Sequence, residues 1–262
     1  MHHCLILLLF TLLASLAPLT MAAGRCERVV ISADPAYPPL HWHDGKNFHG
    51  ASIDIATRIM KDLGIPYEVR YLGPWKRVLS AAQSGSIDLI ATLKNTPERS
   101  SFLLFSDLVL SNPVAAFVRK GNIVPYNKWD DLIPYYGGIA RGNRFGRPFD
   151  DFMDMHLAIN ETDNLEIAFK MLQANRFDYV ITGYHSGMAY LASGKLDDKL
   201  MPLTPYLIET ANLLGFVASS PCAVHLPAVN KQLQKLQKEG YIERALMQAR
   251  EEWRLAPNLG KN

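Results

Sequence analysis

Strand-like and helix-like segments alternate over the first third of this 262-residue chain. Residues 28–33, 67–71 and 87–91 are short runs rich in apolar and β-branched side chains, which is typical of buried strands. Between them, residues 52–63 and 75–83 place apolar side chains at helical spacing. Two strand-helix-strand connections in succession predict a parallel sheet with helices packed on its faces, and therefore an α/β protein.

A second α/β unit is predicted beyond an extended apolar run at residues 108–119, which Asn112 and Pro113 interrupt. We interpret that run as a segment that crosses from one unit to the other. The pattern then predicts a strand at 135–140, helices at 149–155 and 165–174, a strand at 176–181 and a loop at 182–185. One more strand at 213–219 and closing helices at 228–237 and 242–253 complete the prediction.

The two units share a short internal repeat. Residues 79–90 and 172–181 each contain a helix end, a polar turn, an aspartate and an apolar strand, so that Asp88 matches Asp178. A repeat of this kind indicates two lobes of similar build.

The first residues, 1–22, are typical of a secretory signal peptide. Residues 5–16 form an apolar run that is too short for a membrane span, and small residues follow, so we expect cleavage after Ala22 or Ala23. No lysine or arginine precedes the run, which leaves an uncleaved anchor as the alternative. The formal net charge of +2, with acids and bases interspersed, argues against a nucleic-acid partner.

Two cysteines remain after the signal segment, Cys26 and Cys222, one near each end of the chain. In an oxidising compartment an even pair favours a disulfide over a catalytic thiol. Such a bridge would place both chain ends in the same lobe.

Arg99 is the first candidate for ligand binding. Thr96 is a suitable helix cap, and Pro97 suits the first position of the helical turn that follows. The guanidinium of Arg99 would then lie beside the carboxyl end of the strand at 87–91, where ligands bind in open α/β sheets. Its planar geometry suits a carboxylate. A surface arginine in a helix cap is the alternative interpretation.

Several segments together resemble the family 3 periplasmic solute-binding proteins, and the likeness covers nearly the whole chain after the signal segment. The segments are DPAYPP at 34–39, GSID at 85–88, TPER at 96–99 followed by FSD at 105–107, and GYI at 240–242. The resemblance implies a type II periplasmic binding protein fold, an α/β structure with two lobes joined by two crossing strands. It divides the chain into a signal peptide at 1–22, lobe 1 at 23–111 and 207–262, and lobe 2 at 112–206.

The same resemblance implies a ligand site between the lobes. Arg99 would bind a ligand carboxylate together with backbone N–H groups at a helix start in lobe 2, at Asn143, Arg144 and Phe145. An aromatic side chain at Tyr37 would pack on the ligand. Asp34 would be the acid that binds a cationic group of the ligand, and Trp75 would fill either the cleft or the core. Thr92 and Tyr184, each near the end of a strand, complete the expected site.

Two positions depart from the family pattern. Amino-acid binders of the family usually carry an aspartate for the ligand's α-ammonium group where this chain has Gly183, and a small hydroxyl residue where it has Lys94. Without that aspartate an α-amino acid would lose about 1.5 to 3 kcal/mol of binding free energy. Three classes of ligand therefore remain as alternatives: a carboxylate without an α-amine, a peptide-like or cyclic compound, and an amino acid whose amine reaches Asp34.

The resemblance further implies a monomer in the periplasm that binds a small molecule and works with a membrane permease complex or a membrane sensor. No cofactor is expected. His41 and His43 share one side of an extended segment, but no third metal ligand accompanies them. An enzyme of the cyclohexadienyl dehydratase type, with Glu98 or Asp34 as an acid, is the competing class; no nucleophile or carboxylate pair supports it.

Overall fold

Residues 25–122 and 124–256 are described by a computed structural model of the chain. The predicted signal peptide at 1–22 lies outside the described residues. Within the described ranges, no helix is both long enough and apolar enough to cross a membrane.

The strands follow one another in the order β1 (Val29–Ser32), β2 (Ala36–Tyr37), β3 (His41–His43), β4 (Phe48–His49), β5 (Tyr67–Val69), β6 (Leu89–Leu93), β7 (Leu103–Ser111), β8 (Val114–Arg119), β9 (Tyr136–Ala140), β10 (Ala158–Thr162), β11 (Tyr179–Gly183), β12 (Leu200–Pro202) and β13 (Ala211–Val217). The helices are α1 (Ala51–Asp62), α2 (Trp75–Gln83), α3 (Pro97–Ser100), α4 (Phe149–His156), α5 (Leu165–Gln173), α6 (Tyr184–Gly194), α7 (Leu226–Lys238) and α8 (Tyr241–Leu255).

The first lobe is built on a five-stranded sheet in the order β5-β1-β6-β13-β7. β1 runs parallel to β5 and β6, as the two strand-helix-strand connections predict, whereas β13 runs antiparallel to β6 and β7. Side chains of β6 alternate between the two faces: Leu89 and Ala91 join the core under α1, α7 and α8, and Ile90 joins the core under α2. Burial of both faces explains why this strand reads as a continuous apolar run.

The second lobe has a sheet of the same kind, in the order β10-β9-β11-β8-β12. β9 is parallel to β10 and β11, and β8 is antiparallel to β11 and β12. Ile181 of β11 lies in the core beside α4, and its neighbour Val180 lies in the core beside α5. The chain therefore forms two α/β lobes.

The internal repeat occupies equivalent places in the two lobes. The carboxylate of Asp88 accepts the backbone N–H of Val30 at 2.7 Å, and that of Asp178 accepts the N–H of Tyr136 at 2.9 Å. In return, the N–H groups of Asp88 and Asp178 donate to the carbonyls of those same residues at 2.9 and 2.8 Å. Each aspartate thus fixes the start of the parallel strand next to its own.

The chain crosses between the lobes twice, once between β7 and β8 and once between β12 and β13. The two passages lie side by side, because the N–H of Asn112 donates to the carbonyl of Thr210 and the N–H of Val114 to that of Ile208, both at 2.9 Å. Pairing of the passages leaves the lobes joined by a short two-stranded connection.

A disulfide joins Cys26, just before β1, to Cys222, just after β13. The pairing predicted for these two cysteines is confirmed. It covalently links the first strand of lobe 1 to the chain that returns from lobe 2.

Strand β10 and helix α6 are among the elements that differ from the sequence prediction. β10 has no predicted counterpart, because as an exposed edge strand it contains few apolar residues. The predicted loop at 182–185 is wrong: β11 continues to Gly183, and helix α6 begins at Tyr184. Gly187 and Gly194 weaken the helical pattern of that segment, since glycine is a poor helix former.

Candidate functional site

A cavity lies between the lobes, at the carboxyl ends of β1 and β6. The space among its lining atoms is about 370 Å³, part of it open to solvent. It brings together eight of the nine residues predicted for the site and adds four others, so that its lining is Asp34, Tyr37, His41, Trp75, Thr92, Leu93, Lys94, Arg99, Asn143, Arg144, Phe145 and Asn212.

Arg99 is held at one end of the cavity by helix α3. The Thr96 side chain caps this helix and accepts the Arg99 N–H at 3.2 Å, as predicted. The guanidinium donates to the carbonyls of Lys94 at 2.9 Å and Gly142 at 3.4 Å, and it lies 5.6 Å from the centre of the Trp75 ring. Burial lowers the pKa of Arg99 to about 10, so it stays cationic. None of the described residues forms a salt bridge with it.

Lys94 is a second buried cation of the lining, which the sequence prediction omitted. It follows β6 directly, is 5% exposed, and its ammonium group donates to the carbonyl of Asn112 at 2.7 Å. Burial, followed by the charge of Arg99, lowers its pKa to about 7. A lysine immediately after a fully buried strand is the sequence signal that could have identified it.

Asp34 lies at the carboxyl tip of β1, as predicted. One carboxylate oxygen accepts the N–H of Ala36 at 2.9 Å, and burial raises the pKa of Asp34 to about 6 against the opposing effects of that bond and of Arg99. Beside it, Nδ1–H of His41 donates to the carbonyl of Asp34 at 2.8 Å, and burial lowers the pKa of His41 to about 4. His41 is therefore a neutral residue that fixes the loop after β1.

The predicted enzymatic acids occupy different places. Glu98 is exposed and lies outside the cavity lining, whereas Asp34 belongs to it. Among the described residues, no group of three histidine, cysteine, aspartate or glutamate side chains is arranged to hold a metal ion.

Tyr37 reaches across the cavity to the second lobe. Its hydroxyl accepts a hydrogen bond from the Asn112 side chain at 3.4 Å, and its ring stacks on His41 at 5.6 Å between centroids. A Cβ atom added at Gly183 would lie 2.2 Å from this hydroxyl and 2.6 Å from the Asn112 nitrogen. Glycine at 183 thus leaves the room that the tyrosine and the asparagine occupy, and any side chain there would displace them.

The loop at 142–146 forms the opposite wall, and it differs in part from the prediction. Helix α4 begins only at Phe149, so the amides at 143–145 belong to a loop and not to a helix start. The Asn143 N–H donates to the carbonyl of Ala140 at 3.0 Å, and the Phe145 N–H donates to the carboxylate of Asp150 at 2.8 Å. Of the three predicted amide donors, only that of Arg144 has no hydrogen-bond partner among the described residues.

The remaining predicted residues divide between the cavity and the surface of lobe 2. The Thr92 hydroxyl lies in the lining, 2.7 Å from that of Ser52 and 3.4 Å from the Asn212 amide nitrogen. Tyr184, predicted to bind the ligand, is not part of this lining: it begins α6 and packs on Tyr206 with ring centroids 5.3 Å apart. Sequence reasoning placed it in a loop at the cavity, whereas the helix directs it elsewhere.

Helix α8 of lobe 1 holds lobe 2 at a second place, beside α6. The indole N–H of Trp253 donates to the carbonyl of Ala189 at 3.2 Å, and its ring meets Tyr190 edge to face with centroids 5.6 Å apart. Arg250 donates to Nδ1 of His185 at 2.8 Å. Contacts at α8 and at the cavity together define a closed arrangement of the two lobes.

Known structures share this fold. An amino acid ABC transporter substrate-binding protein from Streptococcus pneumoniae, solved with L-arginine, superposes with a TM-score of 0.72 at 20% identity, over 88% of this chain and 97% of that chain. A mutant of an arginine-binding protein from T. maritima gives 0.71 at 18% identity, over 85% and 94%. An ancestral arginine-binding protein bound to glutamine gives 0.68 at 22% identity, over 87% and 97%. These relatives are binding proteins, and at such identities they show a common fold.

The sequence pattern of one family covers most of the chain. Residues 29–249 match the bacterial extracellular solute-binding proteins, family 3, and this range runs from β1 into α8 and so includes both lobes and both passages between them. The chain therefore belongs to the family 3 bacterial extracellular solute-binding proteins.

Proposed function

We propose that this protein is a periplasmic solute-binding component of an ABC transporter that closes its two lobes on a small polar ligand bearing a carboxylate. The observation that carries the proposal is Arg99, a buried guanidinium that lines the inter-lobe cavity without an acidic partner among the described residues. An uncompensated buried charge is costly, so a ligand carboxylate would be bound strongly there. Membership of an extracellular solute-binding family supports the location and the transport role.

The proposed binding unit combines both lobes. Lobe 1, at 23–111 and 207–262, supplies Arg99, Asp34 and Tyr37, and lobe 2, at 112–206, supplies the backbone N–H of Arg144. Closure brings Arg99 within 3.4 Å of the Gly142 carbonyl and places Trp75 against the same glycine, where an added Cβ atom would lie 3.4 Å from the indole. A ligand that touches both walls would favour the closed arrangement over an open one by its contacts.

Asp34 and Gly183 bear on the kind of ligand. Arginine and glutamine are bound by proteins of the same fold, and both are α-amino acids. In this chain the position at Gly183 has no acid, and the neutral side chains of Tyr37 and Asn112 fill the space beside it. We infer that an α-ammonium group is not recognised there; a cationic group of the ligand would have to reach Asp34. Amine-free acids are therefore expected to bind at least as well as α-amino acids.

A thermal-shift screen followed by titration calorimetry tests the proposal. The mature protein, which we expect to be a monomer, is screened against amino acids, their deaminated acids, small peptides and polyamines. A binder at a hundredfold excess over its dissociation constant stabilises the protein by about 2.7 kcal/mol. Stabilisation by polyamines alone would contradict a carboxylate site.

Arg99→Ala is the matching variant. It removes the proposed carboxylate partner, and a charge-assisted hydrogen bond is worth about 1.5 to 3 kcal/mol, so affinity should fall by about tenfold or more. Arg176→Ala, at an exposed arginine in the turn before β11, is the control and should bind normally. Full affinity in Arg99→Ala, with a normal melting temperature, would rule out this site.

A further inference from the structure

We propose that Lys94 forms a second anion site in the inter-lobe cavity, next to that of Arg99, and that the ligand of this protein is a dicarboxylate. The inference rests on the proposed function, since it assumes that the cavity binds a carboxylate-bearing solute. It adds a specificity residue and the chemical class of the ligand.

The position of Lys94 supports an anion site. Its side chain lines the cavity, and among the described residues its ammonium group has one partner, the neutral carbonyl of Asn112 at 2.7 Å. An ammonium group has three N–H donors, so two remain for a ligand. No carboxylate of the described chain lies within salt-bridge distance of Lys94.

The acids nearest to the cavity do not pair with Lys94. The two oxygens of Asp150 accept the N–H groups of Phe145 and Gly146, both at 2.8 Å, and an oxygen of Asp34 accepts the N–H of Ala36. Asp150 acts on Lys94 only through its charge and at a distance. Neither acid provides Lys94 with a direct counterion.

The other two cationic side chains of the lining, Arg144 and Arg99, differ in their partners. The guanidinium of Arg144 lies 3.8 Å from carboxylates of Asp154 and Glu161, so its charge is compensated by lobe 2. Arg99 has no such pair. One ligand carboxylate would match Arg99 and leave Lys94 without a counterion, and a second carboxylate would match both.

Asn112 connects Lys94 to the wall at Gly183. Its backbone carbonyl accepts the ammonium of Lys94, and its side chain donates to the Tyr37 hydroxyl at 3.4 Å. This end of the cavity thus carries a cation and neutral hydrogen-bonding groups. A ligand ammonium placed there would meet a like charge, whereas a carboxylate would meet an opposite one.

The acid-base behaviour of Lys94 supports the same conclusion. Because burial and Arg99 lower its pKa to about 7, an appreciable fraction of the free protein holds a neutral amine just above neutral pH. A carboxylate bound beside Lys94 would raise that pKa again, since an opposite charge favours the ammonium form. Binding of a diacid should therefore be accompanied by uptake of a proton, and its affinity should fall as the pH rises from about 7 to about 9.

A purely structural role is the competing explanation, in which Lys94 only ties β6 to the first passage between the lobes. Titration calorimetry that measures the affinity for diacids and for monoacids of the same chain length separates the two roles. The diacids are succinate, glutarate and adipate, and the matched monoacids are butyrate, valerate and hexanoate. Glutamate and arginine are titrated as well. The variant is Lys94→Gln, which keeps a donor for the Asn112 carbonyl but carries no charge. Lys231→Gln, at an exposed lysine of α7, is the control.

We expect at least one diacid to bind wild-type protein at least tenfold more tightly than its matched monoacid. Lys94→Gln should abolish that preference by weakening the diacid at least tenfold more than the matched monoacid, whereas Arg99→Ala should weaken both classes. Calorimetry in buffers of different ionisation enthalpy should detect proton uptake with the diacid in wild type and none in Lys94→Gln. If Lys94→Gln does not fold, the diacid preference and the proton uptake of wild-type protein still test the proposal.

The proposal is overturned if Lys94→Gln keeps the diacid preference, or if a monocarboxylate such as arginine binds wild type more tightly than every diacid. Either result, together with loss of binding in Arg99→Ala, would leave the proposed solute-binding function intact. Failure of every carboxylate, with one acid group or two, to bind wild type would reject the function and the dicarboxylate together.

Discussion

Gly183→Ala is expected to weaken ligand binding more than it destabilises the individual lobes. The added Cβ atom would lie 2.2 Å from the Tyr37 hydroxyl, and ordinary contact begins at 3.4 Å, so the two groups must separate by 3.4 − 2.2 = 1.2 Å. Tyr37 belongs to lobe 1 and Gly183 to lobe 2. Opening of the lobes therefore relieves the overlap with Tyr37, and that part of the penalty falls on the closed arrangement alone. The Asn112 side chain, 2.6 Å from the added atom, must shift in either arrangement.

The size of the effect follows from the cost of overpacking. Insertion of a methyl group into a well-packed site costs about 1 to 3 kcal/mol. If the ligand binds the closed arrangement, this penalty is subtracted from the binding free energy, and affinity falls by about fivefold to 150-fold. The hydrogen bond from Asn112 to Tyr37 lies within the same overlap, so part of the loss comes from its disruption.

Calorimetry with the acid that gives the largest thermal shift measures this loss, and the melting temperature of the ligand-free variant reports on the lobes. Gly194→Ala is the matched control, because its added Cβ atom would meet only the end of the Leu196 side chain in its own lobe, at 3.0 Å. Affinity of Gly183→Ala within twofold of wild type would refute the reasoning, since it would mean that binding does not require the contact between Tyr37 and Gly183.

Two further predictions concern stability. Cys26→Ser removes a disulfide whose cysteines are 196 residues apart, and for a loop of that length the chain-entropy relation gives a stabilisation of about 5 kcal/mol. Urea unfolding should show that the variant loses a free energy of unfolding of that order, and a reducing agent should cause the same loss in wild type. An unchanged free energy of unfolding would contradict this prediction. Burial raises the folded-state pKa of Asp34 to about 6, so between about pH 4 and pH 6 the folded state holds more protons than the unfolded state. The free energy of unfolding of wild type should therefore fall as the pH rises through this range. Asp34→Asn should make that pH dependence flatter. Urea unfolding at pH 4 and pH 6 measures the change in the free energy of unfolding of both proteins. If the variant shows the same change as wild type, the raised pKa of Asp34 is contradicted.

The sequence predicts most of the fold because most of its elements are buried on one or both faces. The spacing of apolar residues identifies α2 at its observed bounds and α1 within one residue at each end. Edge elements such as β10 are missed, since an exposed strand need not be apolar. The start of α6 is missed because its glycines and its all-round apolar surface lack the one-sided pattern of the other helices.

The site was predicted less completely than the fold, for reasons of tertiary structure. The segments that resemble the family contain Arg99, Asp34 and Tyr37, and all three line the cavity between the lobes. The engagement of the Phe145 amide by Asp150 depends on how the loop at 142–146 folds back, which local sequence does not reveal. Lys94 is apparent in the sequence as a departure from the family pattern and as a lysine directly after a buried strand, but its contact with the Asn112 carbonyl depends on tertiary structure.

The place of β13 has a consequence for how the chain is assembled. This strand comes from residues 211–217, yet it lies in the interior of the first sheet, between β6 and β7. The second sheet, by contrast, uses only the continuous stretch from β8 to β12. When the chain enters its folding compartment amino end first, the second sheet can be completed while the first still lacks a central strand. The part of the molecule that is synthesised first is thus finished last, and until β13 arrives its unpaired strand edges are the surface most prone to aggregation.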